Sequence, residues 1–160
     1  QALRHLRTRG HGVTRETAAS DVSAAAAQVT LREITADIVL DVVQLETAEA
    51  QRRYVAPNAV SLAQALFAPE AWYRAIYCGD TLVGFVMLED ESLRSPPPAA
   101  PDIALWRLMI DQHYQRRGLG RAAVACVIDH VRRKGGFRQL LVSVVPGEAG
   151  PLPFYRTLGF

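Results

Sequence analysis

The chain has 160 residues, 49% of them hydrophobic, which is enough to bury the core of one domain. Its formal net charge of +2 and the absence of aromatics interleaved with its basic residues argue against a nucleic-acid partner, and its two cysteines, Cys78 and Cys126, lack the spacing of a disulfide framework. The histidines show no metal-ligand spacing and no apolar stretch reaches membrane-span length, so no metal and no membrane partner are expected, and a cytoplasmic protein is the default.

Residues 1–28 mix Arg4, Arg7, Arg9 and Arg15 with Gly, Thr, Ser and an alanine run, a composition that predicts a disordered or loosely ordered extension. Residues 29–34 alternate like a half-buried strand. A helix is then predicted from about Asp37 to about Arg53, with Ile38, Val42 and Leu45 on one face. Pro57-Asn58 breaks the chain, and Asn58 or Ser61 is placed to cap a second helix carrying Leu62, Ala65 and Leu66. Residues 72–77 and 82–88 read as a hairpin turning at Gly79-Asp80, with the acidic cluster Glu89-Asp90-Glu91 at its end. The proline-rich segment 95–101 cannot enter a sheet and is expected as an exposed loop.

An apolar run over 105–110 predicts a buried strand, and Leu119, Ala122, Ala123, Cys126, Val127 and Val131 recur at helical spacing until Gly135-Gly136. Between them lies Gln115-Arg116-Arg117-Gly118-Leu119-Gly120-Arg121, a glycine-bearing, arginine-flanked loop delivered onto a helix N-terminus. The first N–H groups of a helix lack internal partners and carry the positive end of its dipole, so the loop is expected to hold a phosphate or pyrophosphate. A P-loop needs a lysine after its second glycine, and the chain's only lysine is Lys134. Gly118-x-Gly120-x-x-Ala123 matches a dinucleotide fingerprint formally, but polar residues separate it from the strand and no acid stands near residue 140 to hold a ribose.

The segment Gln115-Arg-Arg-Gly-Leu-Gly120 resembles the Gln/Arg-x-x-Gly-x-Gly/Ala motif of the GNAT superfamily of acetyl-CoA-dependent N-acetyltransferases. Downstream, Pro153-Phe-Tyr-Arg-Thr-Leu-Gly-Phe160 resembles that superfamily's Phe-Tyr-x-x-x-Gly-Phe segment. Tyr54-Val-Ala-Pro-Asn58, Val83-Gly-Phe-Val-Met87 and Trp106-Arg-Leu-Met-Ile-Asp111 are similar to the polyamine or diamine acetyltransferase branch. The resemblance covers residues 29–160 and implies an α/β fold with a mixed, mostly antiparallel central sheet flanked by helices. It implies that the central strand and the next one splay apart, leaving the backbone of Leu108, Met109 and Ile110 to pair with the pantetheine arm of acetyl-CoA. It assigns cofactor contacts to Gln115, Arg116, Arg117, Gly118, Leu119, Gly120 and Arg121.

The same resemblance gives Tyr155 the role of protonating the departing thiolate. For the base, the superfamily's usual glutamate on the central strand is replaced here by Trp106, so the expectation passes to Glu89, with Asp90, Glu91 and Glu33 as rivals. The implied acceptor is a small cationic amine such as a polyamine; a peptide or protein amine, or a catalytically weak CoA-binding module, are the alternatives. The charge distribution agrees, because residues 107–138 hold eight cations and two acids while residues 29–106 hold five cations and eleven acids. Superfamily members continue into two further strands beyond the point corresponding to Phe160. Without them a sheet edge would lie open, which makes a homodimer an expectation.

Overall fold

The computed structural model describes residues 4–7, 28–148 and 150–160. Among them lies a six-stranded sheet, in the order β1-β6-β5-β4-β3-β2. Its strands are β1 (Arg4–Arg7), β2 (Val29–Arg32), β3 (Ala71–Cys78), β4 (Thr81–Asp90), β5 (Ile103–Ile110) and β6 (Leu140–Val144). β5 and β6 run parallel and every other neighbouring pair antiparallel. The parallel pair requires a crossover, which helix α3 (Leu119–Lys134) supplies.

The sheet is covered on both faces. On one, Ala123, Val124 and Val127 of α3 pack with Val86, Leu105 and Val142. On the other, α1 (Val39–Gln44) and α2 (Asn58–Ala65) close over Phe85, Met87 and Met109. This double cover explains why β4 and β5 read as nearly continuous apolar runs. The hairpin β3–β4 turns at Gly79-Asp80, where Gly79 takes φ +58°, a region that favours glycine.

Two sequence expectations are corrected. The first helix does not continue to Arg53: it ends at Gln44, Leu45 is extended at ψ 134°, and a single 3₁₀ turn follows at Glu49–Gln51. Long-range bonds override helix propensity there, because the Glu46 N–H donates to Asp111 Oδ2 at 2.9 Å and the Glu46 carbonyl accepts from Gln112 N–H at 2.8 Å. Asn58 is not a cap. It is buried, and its Nδ2 donates to the Val42 carbonyl at 2.8 Å, which otherwise receives only the long 3.4 Å bond from Leu45 N–H, and so ties α2 to the end of α1.

From composition, residues 1–28 are expected as a disordered or loosely ordered extension, and within them only Arg4–Arg7 and Gln28 are described. Arg4–Arg7 forms β1, antiparallel to β6 from Arg4↔Val144 to Arg7↔Leu141. The β6 edge beside the last helix is therefore paired by this chain itself, which removes the reason for a second copy there. The rest of that expectation, residues 1–3 and 8–27, lies outside the described residues.

At the end of β4, Asp90 is fully buried and its Oδ2 pairs with Lys134 from the last turn of α3, while Oδ1 accepts from Ser92 N–H at 3.0 Å. Removing one partner strands a buried charge. Lys134→Met is therefore expected to destabilise the chain by about 3 kcal/mol, the low end of the usual range because Lys134 is partly exposed. Urea unfolding followed by circular dichroism would measure it.

Candidate active site

β5 and β6 pair only over Ile103↔Leu140, Ala104↔Leu141 and Leu105↔Val142. Beyond Leu105 the strands part, and the burial of β5 is interrupted at Trp106, Arg107 and Leu108, which are half-buried. β5 also carries an extra residue at this point: Met87 pairs with Arg107 and Leu88 with Leu105, so Trp106 is bulged. A bulge at the mouth of a site re-aims side chains, and here it turns Trp106 and Arg107 toward the α1–α2 face of the sheet.

The gap opens into a cavity of about 670 Å³, within the usual range for small-molecule sites. One wall is the open edge of β5. An added Cβ at Gly84 on β4 would run into the Met109 carbonyl, so that carbonyl faces β4. By the alternation of a strand, Leu108 then turns its N–H and C=O to the open edge.

A second wall is the N-terminus of α3. Gly118, its N-cap, has φ +76° and offers no side-chain cap, so the first N–H groups of the helix are left to a ligand. Arg116 has φ +61°, which costs a non-glycine residue roughly 1–2 kcal/mol and marks a loop held open for a purpose. Arg116 and Arg121 line the cavity, as do Gly118, Leu119 and Gly120, and the Nη2 of Arg121 donates to Thr157 Oγ1 at 3.2 Å.

Two loop residues expected as cofactor contacts are placed otherwise. Gln115 borders the cavity, but its Nε2 donates to the Ile110 carbonyl at 2.9 Å and to Gln51 Oε1 at 2.7 Å, so it clamps the loop to β5. Arg117 is not in the lining. It folds back, donating to the His113 carbonyl at 3.1 Å with its guanidinium over the Tyr114 ring.

The third wall is α4 (Leu152–Thr157), which brings Tyr155 to the cavity. The ring is 6% exposed and fixed edge-on between Phe154 and Phe160, with centroids at 5.1 and 5.8 Å. Burial pushes its phenol well above the ordinary tyrosine value, so it stays protonated through the neutral range. Across the cavity, Tyr54 reaches from the α1–α2 connection to the backbone at Gly147 and Gly150 and closes one side.

The chain falls within the model of the acetyltransferase (GNAT) family over residues 39–160. It belongs to that family. Among relatives, 59 residues are 34% identical to the [ribosomal protein bS18]-alanine N-acetyltransferase of Escherichia coli strain K12, spanning 37% of this chain and 39% of that protein. A probable spermine N(1)-acetyltransferase of Bacillus subtilis subsp. natto is 25% identical over 136 residues, 82% of this chain and 87% of that one. Of solved structures, an acetyltransferase from Thermus thermophilus superposes with a TM-score of 0.58 at 19% identity, covering 83% of this chain and 86% of the other. An aminoglycoside acetyltransferase from an uncultured soil sample, bound to sisomicin, gives 0.55 at 16% identity over 82% and 87%.

The acidic cluster is not at the cavity. Glu89 pairs in register with Ala104, at the far end of β5 from the glycine loop, and lies outside the lining. It ion-pairs with Arg94 at 3.3 Å, which also holds Glu70 and Glu91. Asp90 is the buried partner of Lys134, and Glu33 faces Arg74 at 3.6 Å. No carboxylate or imidazole among the described residues lines the cavity, so the sequence-based choice of base is not supported. What sequence reasoning missed is Arg107, whose one signal was a charge inside an otherwise apolar strand.

Proposed function

We propose that the protein is an N-acetyltransferase that moves acetyl from acetyl-CoA to the primary amine of a small molecule. The observation that carries this reading is that the open edge of β5, the uncapped N-terminus of α3 and Tyr155 border one cavity. The donor fits: its pyrophosphate suits the free N–H groups at Gly118–Gly120 with Arg116 and Arg121 beside them, and its pantetheine amides suit Leu108 as an added strand. When bound, acetyl-CoA supplies an activated acyl group with a thiolate leaving group.

The chain's own part is to orient and to move protons. Leu108 and its neighbours on the open edge hold the thioester in line with the acceptor. Tyr155, kept protonated by burial, donates its hydroxyl proton to the departing sulfur and recovers one from the nitrogen of the tetrahedral adduct, which becomes an ammonium when the neutral amine attacks. With no acid or imidazole among the described residues of the lining, deprotonation of the incoming amine falls to water at the mouth.

An alkyl ammonium with a pKa near 10.4 is only about one part in a thousand neutral at pH 7.4. The expectation is that kcat/KM rises about tenfold per pH unit from pH 6.5 to 9; a plateau near pH 7 would reveal a base inside the site. Amine-dependent release of CoA thiol, with the acetylated amine identified by mass spectrometry, tests the reaction itself. Thiol release that ignores added amine would contradict it.

A polyamine acceptor is the second reading, favoured by similarity to the probable spermine acetyltransferase. Against it, the cavity lining offers a polycation no carboxylate among the described residues.

A further inference from the structure

Arg107 has no acidic partner among the described residues. Its Nη1 donates to the Trp106 carbonyl at 3.0 Å, its Nη2 donates to Gln64 Oε1 at 3.4 Å, and its Nε is buried with no partner among the described residues. The guanidinium also lies 5.3 Å from the centre of the Trp106 ring. Half-buried cations in folded proteins are ordinarily paired, because desolvation without a counter-ion is costly. Burial lowers the pKa of Arg107 from its ordinary value, the signature of that uncompensated cost.

Position decides what could pair with it. Arg107 lines the same cavity as the glycine loop but sits three residues before Ile110, about 10 Å back along β5. Phosphates held at the N-terminus of α3 are met by Arg116 and Arg121, and a linear donor running from there along the open edge fills that end. The acceptor has to enter from the other end, where Arg107 and Trp106 stand. Among the described residues, the charged ones lining the cavity, Arg107, Arg116 and Arg121, are all cations.

We infer that Arg107 is a specificity-determining residue and that the acceptor is a primary amine that also carries a carboxylate, whose oxygens accept from the second N–H of each terminal guanidinium nitrogen, beside the bonds to Trp106 and Gln64. The inference rests on the proposed acetyl transfer and replaces the polyamine by an amino acid or a similar zwitterion. Bidentate pairing with a carboxylate supplies the missing counter-ion, and the same cation repels the second ammonium of a diamine.

The test uses three series of acceptors of two to six carbons: ω-amino acids, α,ω-diamines and plain alkylamines, which share a stem and differ only at the far end. At the best chain length, kcat/KM is expected to fall in the order amino acid, alkylamine, diamine. Arg107→Gln should cost the amino acid about ten- to a hundredfold more than the alkylamine, mainly through KM, and Arg107→Lys should restore part of the preference. A preference for diamines, an equal loss in all three series, or turnover of none of them overturns the inference. Acetyl-CoA binding is measured by calorimetry in parallel; its absence would instead overturn the acetyltransferase reading.

Discussion

Tyr155→Phe is expected to lower kcat about 10²- to 10⁴-fold while leaving acetyl-CoA affinity almost unchanged, the usual weight of a positioned proton donor. The substitution removes one oxygen from a ring whose packing against Phe154 and Phe160 does not depend on it. A loss of turnover therefore cannot come from a disturbed cavity. The raised phenol pKa gives the effect its direction: transfer to a thiolate is uphill unless a second proton arrives, so the hydroxyl acts as a relay between nitrogen and sulfur. Steady-state kinetics and calorimetry on the variant separate the two quantities. Retention of more than about a tenth of the activity would assign the protonation to water.

Gly120→Glu is expected to weaken acetyl-CoA binding by about a hundredfold or more, the scale of placing like charges together at a binding surface. The backbone accepts a side chain here, since an added Cβ would stand 3.4 Å from Phe154 Cζ and 3.8 Å from Ile110 Cγ1. A glutamate near a helix N-terminus also favours the helix, so the melting temperature should not fall. Its carboxylate would project where the phosphates of the donor bind. Gly120→Ala, which adds the Cβ alone, should bind nearly as well as the original chain. If the alanine variant lost binding equally, steric closeness of the loop, and not charge, would set the affinity.

The stretch from β5 to α3 was legible because its signals are local. A strand-length apolar run, two glycines at a helix start and a basic last turn are each fixed by residues within a few positions, and the structure has them all. The hairpin was legible for the same reason, through Gly79-Asp80. The end of α1 was not, because it is set by bonds from Glu46 to Asp111 and Gln112, more than sixty residues away. β1 carries no alternating pattern in its four residues and exists through its pairing with β6.

At the site, the delivery of the glycine loop onto a helix N-terminus was legible, but side-chain direction was not. Arg117 has the same chemistry as Arg116 and Arg121 but turns to the His113 carbonyl, and Gln115, at the cavity, donates its amide to Gln51 and Ile110. Trp106 and Arg107 were hidden by the bulge, which breaks the alternation used to assign faces along β5. Glu89 attracted attention as part of an acidic cluster, yet its neighbours Glu70 and Arg94 absorb it into a surface ion network.

The most direct test of the account is a calorimetric titration of acetyl-CoA into the unmodified chain. The cavity, the free helix N-terminus and the open edge of β5 together predict one site per chain, with micromolar affinity that weakens as salt screens the arginines. Absence of any saturable heat at millimolar acetyl-CoA would contradict it, because all three walls of the cavity are assigned to that one donor.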